Sequence, residues 1–218
     1  MHFLDAWSEL SPFDLARLLV PMGCLAAATF LPGGRIARIV SVGIAAAVPF
    51  LRELSVSAWV VAGWTALWLV VAWRTGNADE AARRPLAATR NVLESGTVAL
   101  LLGLVLLALL VAAVARQDMS PEDGRRASYG IALLGLGLLH LMIRRHLRRA
   151  LVGFAALGLG LQVLDGAARG AQLQTSASSG GSVLLATALV VAVALRIADG
   201  RERHAGTAWV SDAHDLHD

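Results

Sequence analysis

Apolar residues in this chain come in long blocks separated by short polar breaks. The stretches 96–115, 127–143 and 181–195 contain no charged side chain. About 20 helical residues cross the roughly 30 Å hydrocarbon core of a bilayer, so blocks of this length read as membrane helices. The pattern predicts seven spans, near 13–31, 36–51, 56–73, 96–115, 127–143, 150–166 and 181–198. Pro32-Gly33-Gly34 parts the first two, and Arg52-Glu53 parts the second from the third. A polar stretch from Arg74 to Arg90 divides a three-helix front from a four-helix back. Further breaks fall at 116–126, which holds Ser120-Pro121, at the tight basic loop from Arg144 to Arg149, and at the Ser- and Gly-rich segment 172–182.

The expected fold class is therefore all-α, a polytopic membrane protein of about seven transmembrane helices. Its expected parts are an N-terminal three-helix membrane part (1–75), a cytoplasmic connector (76–95), a four-helix membrane part (96–200) and a polar tail (201–218). Composition agrees: 56% of residues are hydrophobic and 16% charged, and mean hydropathy is +0.63. A soluble catalytic domain of this size needs more polar surface.

Charge sets the orientation. The 19 basic residues are all Arg. Alternating the loops puts thirteen on one side (Arg35, Arg38, Arg74, Arg83, Arg84, Arg90, Arg144, Arg145, Arg148, Arg149, Arg196, Arg201 and Arg203) and six on the other. The positive-inside rule places the richer side in the cytoplasm, so the N-terminus is outside and the C-terminus cytoplasmic. Arginines confined to short loops also explain the sequence pI near 10.3 without nucleic acid. The N-terminus carries Asp5 and Glu9 where a secretory signal would carry positive charge, so the first span is expected to be retained. Cys24 is the one cysteine, which leaves no intrachain disulfide.

Trp59 and Trp73 stand about 21 Å apart along one helix and read as interfacial belt residues, while Trp64 and Trp68 share a face suited to packing. Gly130, Gly135, Gly137, Gly153, Gly158 and Gly160 make the fifth and sixth spans smooth. Small residues let helices approach closely in lipid, so these two spans are expected to form an intimate hairpin.

An ionisable group within a span is costly, and each is a candidate for function. Three membrane-proximal carboxylates have an arginine on their own face: Asp14 with Arg17, Glu94 with Arg90, and Asp165 with Arg169. Such pairs read first as interfacial anchors, since a paired carboxylate is a poor proton carrier. His140 is the one histidine inside a span, and a lone histidine offers no bis-His haem site. The proton-path candidates are therefore His140, Glu94 and Asp165. Gln162 is placed to bridge helices by a hydrogen bond. No phosphate loop, dinucleotide fingerprint, metal-ligand spacing or nucleophile elbow is present, so no catalytic residue, metal or cofactor is assigned. The tail's His204, His214 and His217 alternate with aspartates without a zinc-type spacing.

The hairpin from Gly135 through His140, Arg144, Arg145, His146, Arg148 and Arg149 to Gly153 resembles the basic hairpin of the K subunit of NADH-quinone oxidoreductase and of its C-type relatives in Mrp antiporters. The whole chain looks more like the E-type membrane subunit of hydrogenase-4 (formate-hydrogenlyase-type) complexes, including Gly206-Thr207 before a polar-acidic stretch. The resemblance implies a K-like three-helix unit over 127–198 and residence in the bacterial cytoplasmic (inner) membrane. It also implies partnership with antiporter-like and redox-module membrane subunits, with lipid and a quinone nearby. The family's relay glutamates fall here on Ala155 or Gly158, the acidic residue of its last helix falls in Gly181-Ser182-Val183, and no lysine exists anywhere. The implied function is a non-catalytic membrane-arm subunit of a complex-I-like, redox-linked ion-translocating complex, with its own relay carboxylates lost. The alternatives are a quinone-binding or anchor subunit of another membrane oxidoreductase, or a stand-alone small transporter.

Overall fold

The computed structural model describes residues 57–76, 120–143, 146–171 and 180–206, together with residues 11, 12, 105, 108, 109 and 112. The described segments are all helical: α1 (Ala58–Gly76), α2 (Pro121–Ile143), α3 (Leu147–Ala171) and α4 (Gly180–Ala205). These are the third, fifth, sixth and seventh expected spans. The spans expected at 13–31, 36–51 and 96–115 lie outside the described residues, apart from Val105, Ala108, Leu109 and Ala112, each helical.

Three of the helices are long and apolar enough to cross a membrane, over Ala58–Thr75, Leu147–Ala168 and Gly181–Ala205. α2 carries Glu122, Asp123, Arg125 and Arg126 in its first turns and is uncharged from Ala127 to Ile143.

Local chemistry accounts for the helix ends. Pro121 sits at the first helical position of α2, where the missing N–H costs nothing. Ser120 caps it: its Oγ accepts from the Asp123 N–H at 3.2 Å and donates to Asp123 Oδ2 at 2.6 Å. The Asp123 carboxylate thereby orients the hydroxyl that caps the helix. α3 starts where the His146 carbonyl accepts from the Arg149 and Ala150 N–H groups, both at 3.0 Å. α4 continues past the expected span end to Ala205 and stops at Gly206, whose φ of +70° is the left-handed conformation that ends helices. Within the helices, hydroxyls bond back to their own backbone. Thr187 donates to the Val183 carbonyl at 2.7 Å, Ser128 to Gly124 at 2.6 Å and Thr75 to Val71 at 2.8 Å. That leaves no lone hydroxyl donor in an apolar layer among these residues.

α2 and α3 are antiparallel and touch backbone to backbone. A Cβ added at Gly160 would stand 2.9 Å from the Gly130 carbonyl oxygen, and one at Gly130 would stand 3.0 Å from that of Gly160. Gly137 and Gly153 repeat the relation, at 3.1 Å in both directions. Each glycine receives a leucine from the facing helix: Leu164 on Gly130, Leu157 on Gly137, Leu141 on Gly153 and Leu134 on Gly160. This register exposes an internal repeat. Residues 130–141 and 153–164 agree at eight of twelve positions, and shifting every contact by 23 residues exchanges the two helices. The pair Gly130–Leu164 becomes Gly153–Leu141, and Gly137–Leu157 becomes Gly160–Leu134. The hairpin thus has a local pseudo-two-fold axis, in which one helical motif packs antiparallel against its own copy.

α1 and α4 pack on the other side of α3. Trp64, Trp68, Val71, Leu151, Ala155 and Val191 belong to one buried cluster. Gly63 meets Leu184, and Gly158 meets Thr187. Trp64 and Trp68 are 0% exposed, whereas Trp59 and Trp73 are 87% and 67% exposed. The second pair lies on the exposed surface of α1, and the first packs.

Candidate functional site

His140 lies in the last turn of α2 and is almost fully buried. Its Nε2 makes a 2.9 Å hydrogen bond across the hairpin to the carbonyl oxygen of Arg149. An amide carbonyl only accepts, so Nε2 carries the proton and the tautomer is set. The carbonyl cannot take that proton onward. The bond therefore ties the two helices together next to the turn and closes one of the imidazole's two exchange routes.

The same end of the bundle holds a four-charge clasp. Arg148 grips Glu202 with both arms of its guanidinium, Nε to Oε1 at 2.7 Å and Nη2 to Oε2 at 2.5 Å, and reaches Asp199 Oδ1 at 3.0 Å. Arg74 lies 3.7 Å from the other Asp199 oxygen. A bidentate arginine is the strong form of the ion pair. This one joins the first turn of α3 to the last turns of α4 and the end of α1. It also brings Arg74, Arg148 and the C-terminal turns of α4 to one end of the bundle, as the alternation of loops requires.

Asp165 is half-buried near the far end of α3. It stands 16 residues beyond Arg149, about 24 Å along a helix, and so about that far from His140. The structure does not bring these two candidates together. Glu94 lies outside the described residues, as do the side chain of Arg169, the pair Asp14 and Arg17, and the tail beyond Gly206. His204 is exposed and bonds back to the Gly200 carbonyl at 2.8 Å. Among the described residues no group of three His, Cys, Asp or Glu is placed to share a metal ion.

Gln162 is buried, but its Oε1 has no hydrogen-bond partner, so this oxygen does not bridge helices as expected. The indole nitrogens of Trp64 and Trp68 are likewise buried and unpaired. The contacts Gly63–Leu184 and Gly158–Thr187 put Trp64 and Gln162 in about the same layer of the three-helix junction.

Two features are absent from the sequence reading above. The clasp joins residues 51 and 54 positions apart, and nothing local announces such a pair. The Gly-Leu repeat was detectable by self-comparison of 130–141 with 153–164.

No protein-family model matches the chain, and the comparisons with curated proteins and with solved structures found no match. The class these observations define is an all-helical protein, over its described residues, with three helices of membrane-spanning length and apolarity.

Proposed function

We propose that the chain is a multi-pass membrane subunit that works by packing against partner subunits rather than by chemistry of its own. In this reading it has about seven spans, an external N-terminus and a cytoplasmic C-terminus, in a bacterial inner membrane. The assembly is redox-linked and ion-translocating, of the complex-I-like or hydrogenase-4 type, and the chain bridges its antiporter-like and redox-proximal subunits. One observation carries the proposal. Among the described residues, the packed interior between the bundle ends is lined mainly by Gly, Ala, Leu, Val and Trp, its buried polar groups there (Gln162, Thr187, Ser128 and Tyr129) carry no charge, and the carboxylates sit toward the ends. A proton path needs exchangeable groups within reach of one another through the span, and His140 and Asp165 are about 24 Å apart.

The test is purification from native membranes in mild detergent. The proposal predicts co-purification with at least two other membrane subunits. A monodisperse solitary protein with its own transport activity would count against it. In the assembled complex, Asp165→Asn or Glu94→Gln is expected to cost less than about tenfold in turnover, well under the roughly 4 kcal/mol that losing an essential relay group commonly represents. A larger loss with normal assembly would identify a proton carrier.

A second reading, a quinone-binding or anchor subunit, is favoured by the three buried, unpaired polar atoms of the bundle interior, Gln162 Oε1 and the indole nitrogens of Trp64 and Trp68. It predicts that a photoreactive quinone labels this junction and that Gln162→Leu abolishes the labelling.

A further inference from the structure

We propose that the outward line of α4 is a binding site for an anionic phospholipid, with acyl chain on its apolar part and phosphate on Arg196 and Arg203. At 100° per residue, Leu185, Leu189, Arg196 and Arg203 fall within about 40° of one another around the helix. All four are exposed. The line is thus a continuous stripe, apolar in the membrane-spanning part and cationic where α4 emerges at the clasp end. Arg196 and Arg203 are seven residues apart, or about 10.5 Å, so their long side chains reach the same headgroup layer from two successive levels.

What makes the site is the sorting of charge around α4. Asp199 and Glu202 lie on one flank of the line, about 40° and 100° round from Leu185. Both are engaged by Arg148, and Asp199 also by Arg74. Their negative charge is thereby matched by arginines of α1 and α3 at the bundle end. Neither Arg196 nor Arg203 has an ion-pair partner among the described residues, so this face of α4 presents two arginines that the described carboxylates do not engage. His204 turns back to the Gly200 carbonyl, and Arg201 projects from the opposite side of the helix. Zwitterionic lipid offers this stripe the same acyl chain but no net charge. Anionic lipid offers both, with about 1 kcal/mol expected for each arginine near the headgroup, a factor of about five.

The proposal requires only that α4 span a membrane, and it stands or falls separately from any partner subunit. The test titrates the detergent-purified, delipidated full chain with phosphatidylglycerol and with phosphatidylcholine, counting bound lipid by native mass spectrometry. The wild type is expected to prefer phosphatidylglycerol by roughly thirtyfold. Arg196→Gln and Arg203→Gln should each lose about fivefold, and the double variant should bind the two lipids alike. Arg201→Gln removes the same charge from the other side of the same helix and should keep the preference. Inorganic phosphate should fail to displace the lipid, because it leaves the apolar stripe empty. The proposal is overturned if the wild type shows no preference, if Arg201→Gln costs as much as Arg196→Gln, or if inorganic phosphate competes as well as phosphatidylglycerol.

Discussion

The interface between α2 and α3 and the junction of α3 with α1 and α4 hold the same central helix by opposite means. On one side, glycine meets glycine and leucine fills the notch beside it, with no charge between Ala127 and Ile143. On the other, two tryptophans pack along the bundle and one arginine closes its end. α3 is held from both sides and is the most buried of the three membrane-length helices. The apolar stretch of α3 is 67% buried, against 33% for α1 and 22% for α4. Lipid supplies no hydrophobic drive between helices, so close backbone approach has to hold the hairpin, and a localised ionic contact holds the more exposed helices. The first mechanism tolerates no added volume; the second tolerates volume and depends on charge.

The sharpest way to break this contrast is to fill the hairpin notch. Gly137→Ala combined with Gly160→Ala places two methyl groups about 3 Å from facing carbonyl oxygens. Overpacking costs about 1–3 kcal/mol per site, so the double variant should lose roughly 3 kcal/mol or more in reversible unfolding from mild detergent. Next comes the clasp. Arg148→Ala strands Glu202 at the end of α4 and leaves Asp199 with Arg74 alone. Because these groups are partly exposed, the loss should be about 2 kcal/mol, between the values for surface and buried pairs. High salt should weaken the wild-type clasp and leave the hairpin defect unchanged. A smaller effect is expected at His140→Leu, about 1–2 kcal/mol, because the Arg149 carbonyl loses its cross-hairpin donor. Smallest, and of opposite sign, is Gly200→Ala. Nothing lies within 4 Å of a Cβ there, so the variant should gain up to about 0.5–1 kcal/mol from reduced backbone entropy in the unfolded chain.

The two interfaces also differed in how much of them could be read from the sequence. The hairpin was legible because its signals are local: small residues recurring in adjacent apolar blocks across a tight basic loop. Trp59 and Trp73 were separable from Trp64 and Trp68 for a similar reason, since spacing along one helix fixes both depth and face. The clasp was not legible. Arg148 belongs to a loop whose arginines read as topology signals, and Asp199 and Glu202 lie past the expected end of the span. Their engagement depends on α4 continuing to Ala205 and on which flank it turns toward α3. The intramembrane candidates fared differently again. His140 proved buried and bonded to a carbonyl, which a list of ionisable residues cannot reveal, because the acceptor is backbone rather than side chain. Gln162 proved buried with its oxygen unpaired, contrary to the bridging role its position implied.

Proton flux through the chain alone tests the central claim most directly. The purified protein would be reconstituted into liposomes holding a pH-sensitive dye, and a potassium diffusion potential imposed with valinomycin. The account predicts a proton leak equal to that of protein-free liposomes. A flux well above that leak, abolished by His140→Leu in a variant that still reconstitutes, would show that this chain conducts protons without partners and would contradict the account.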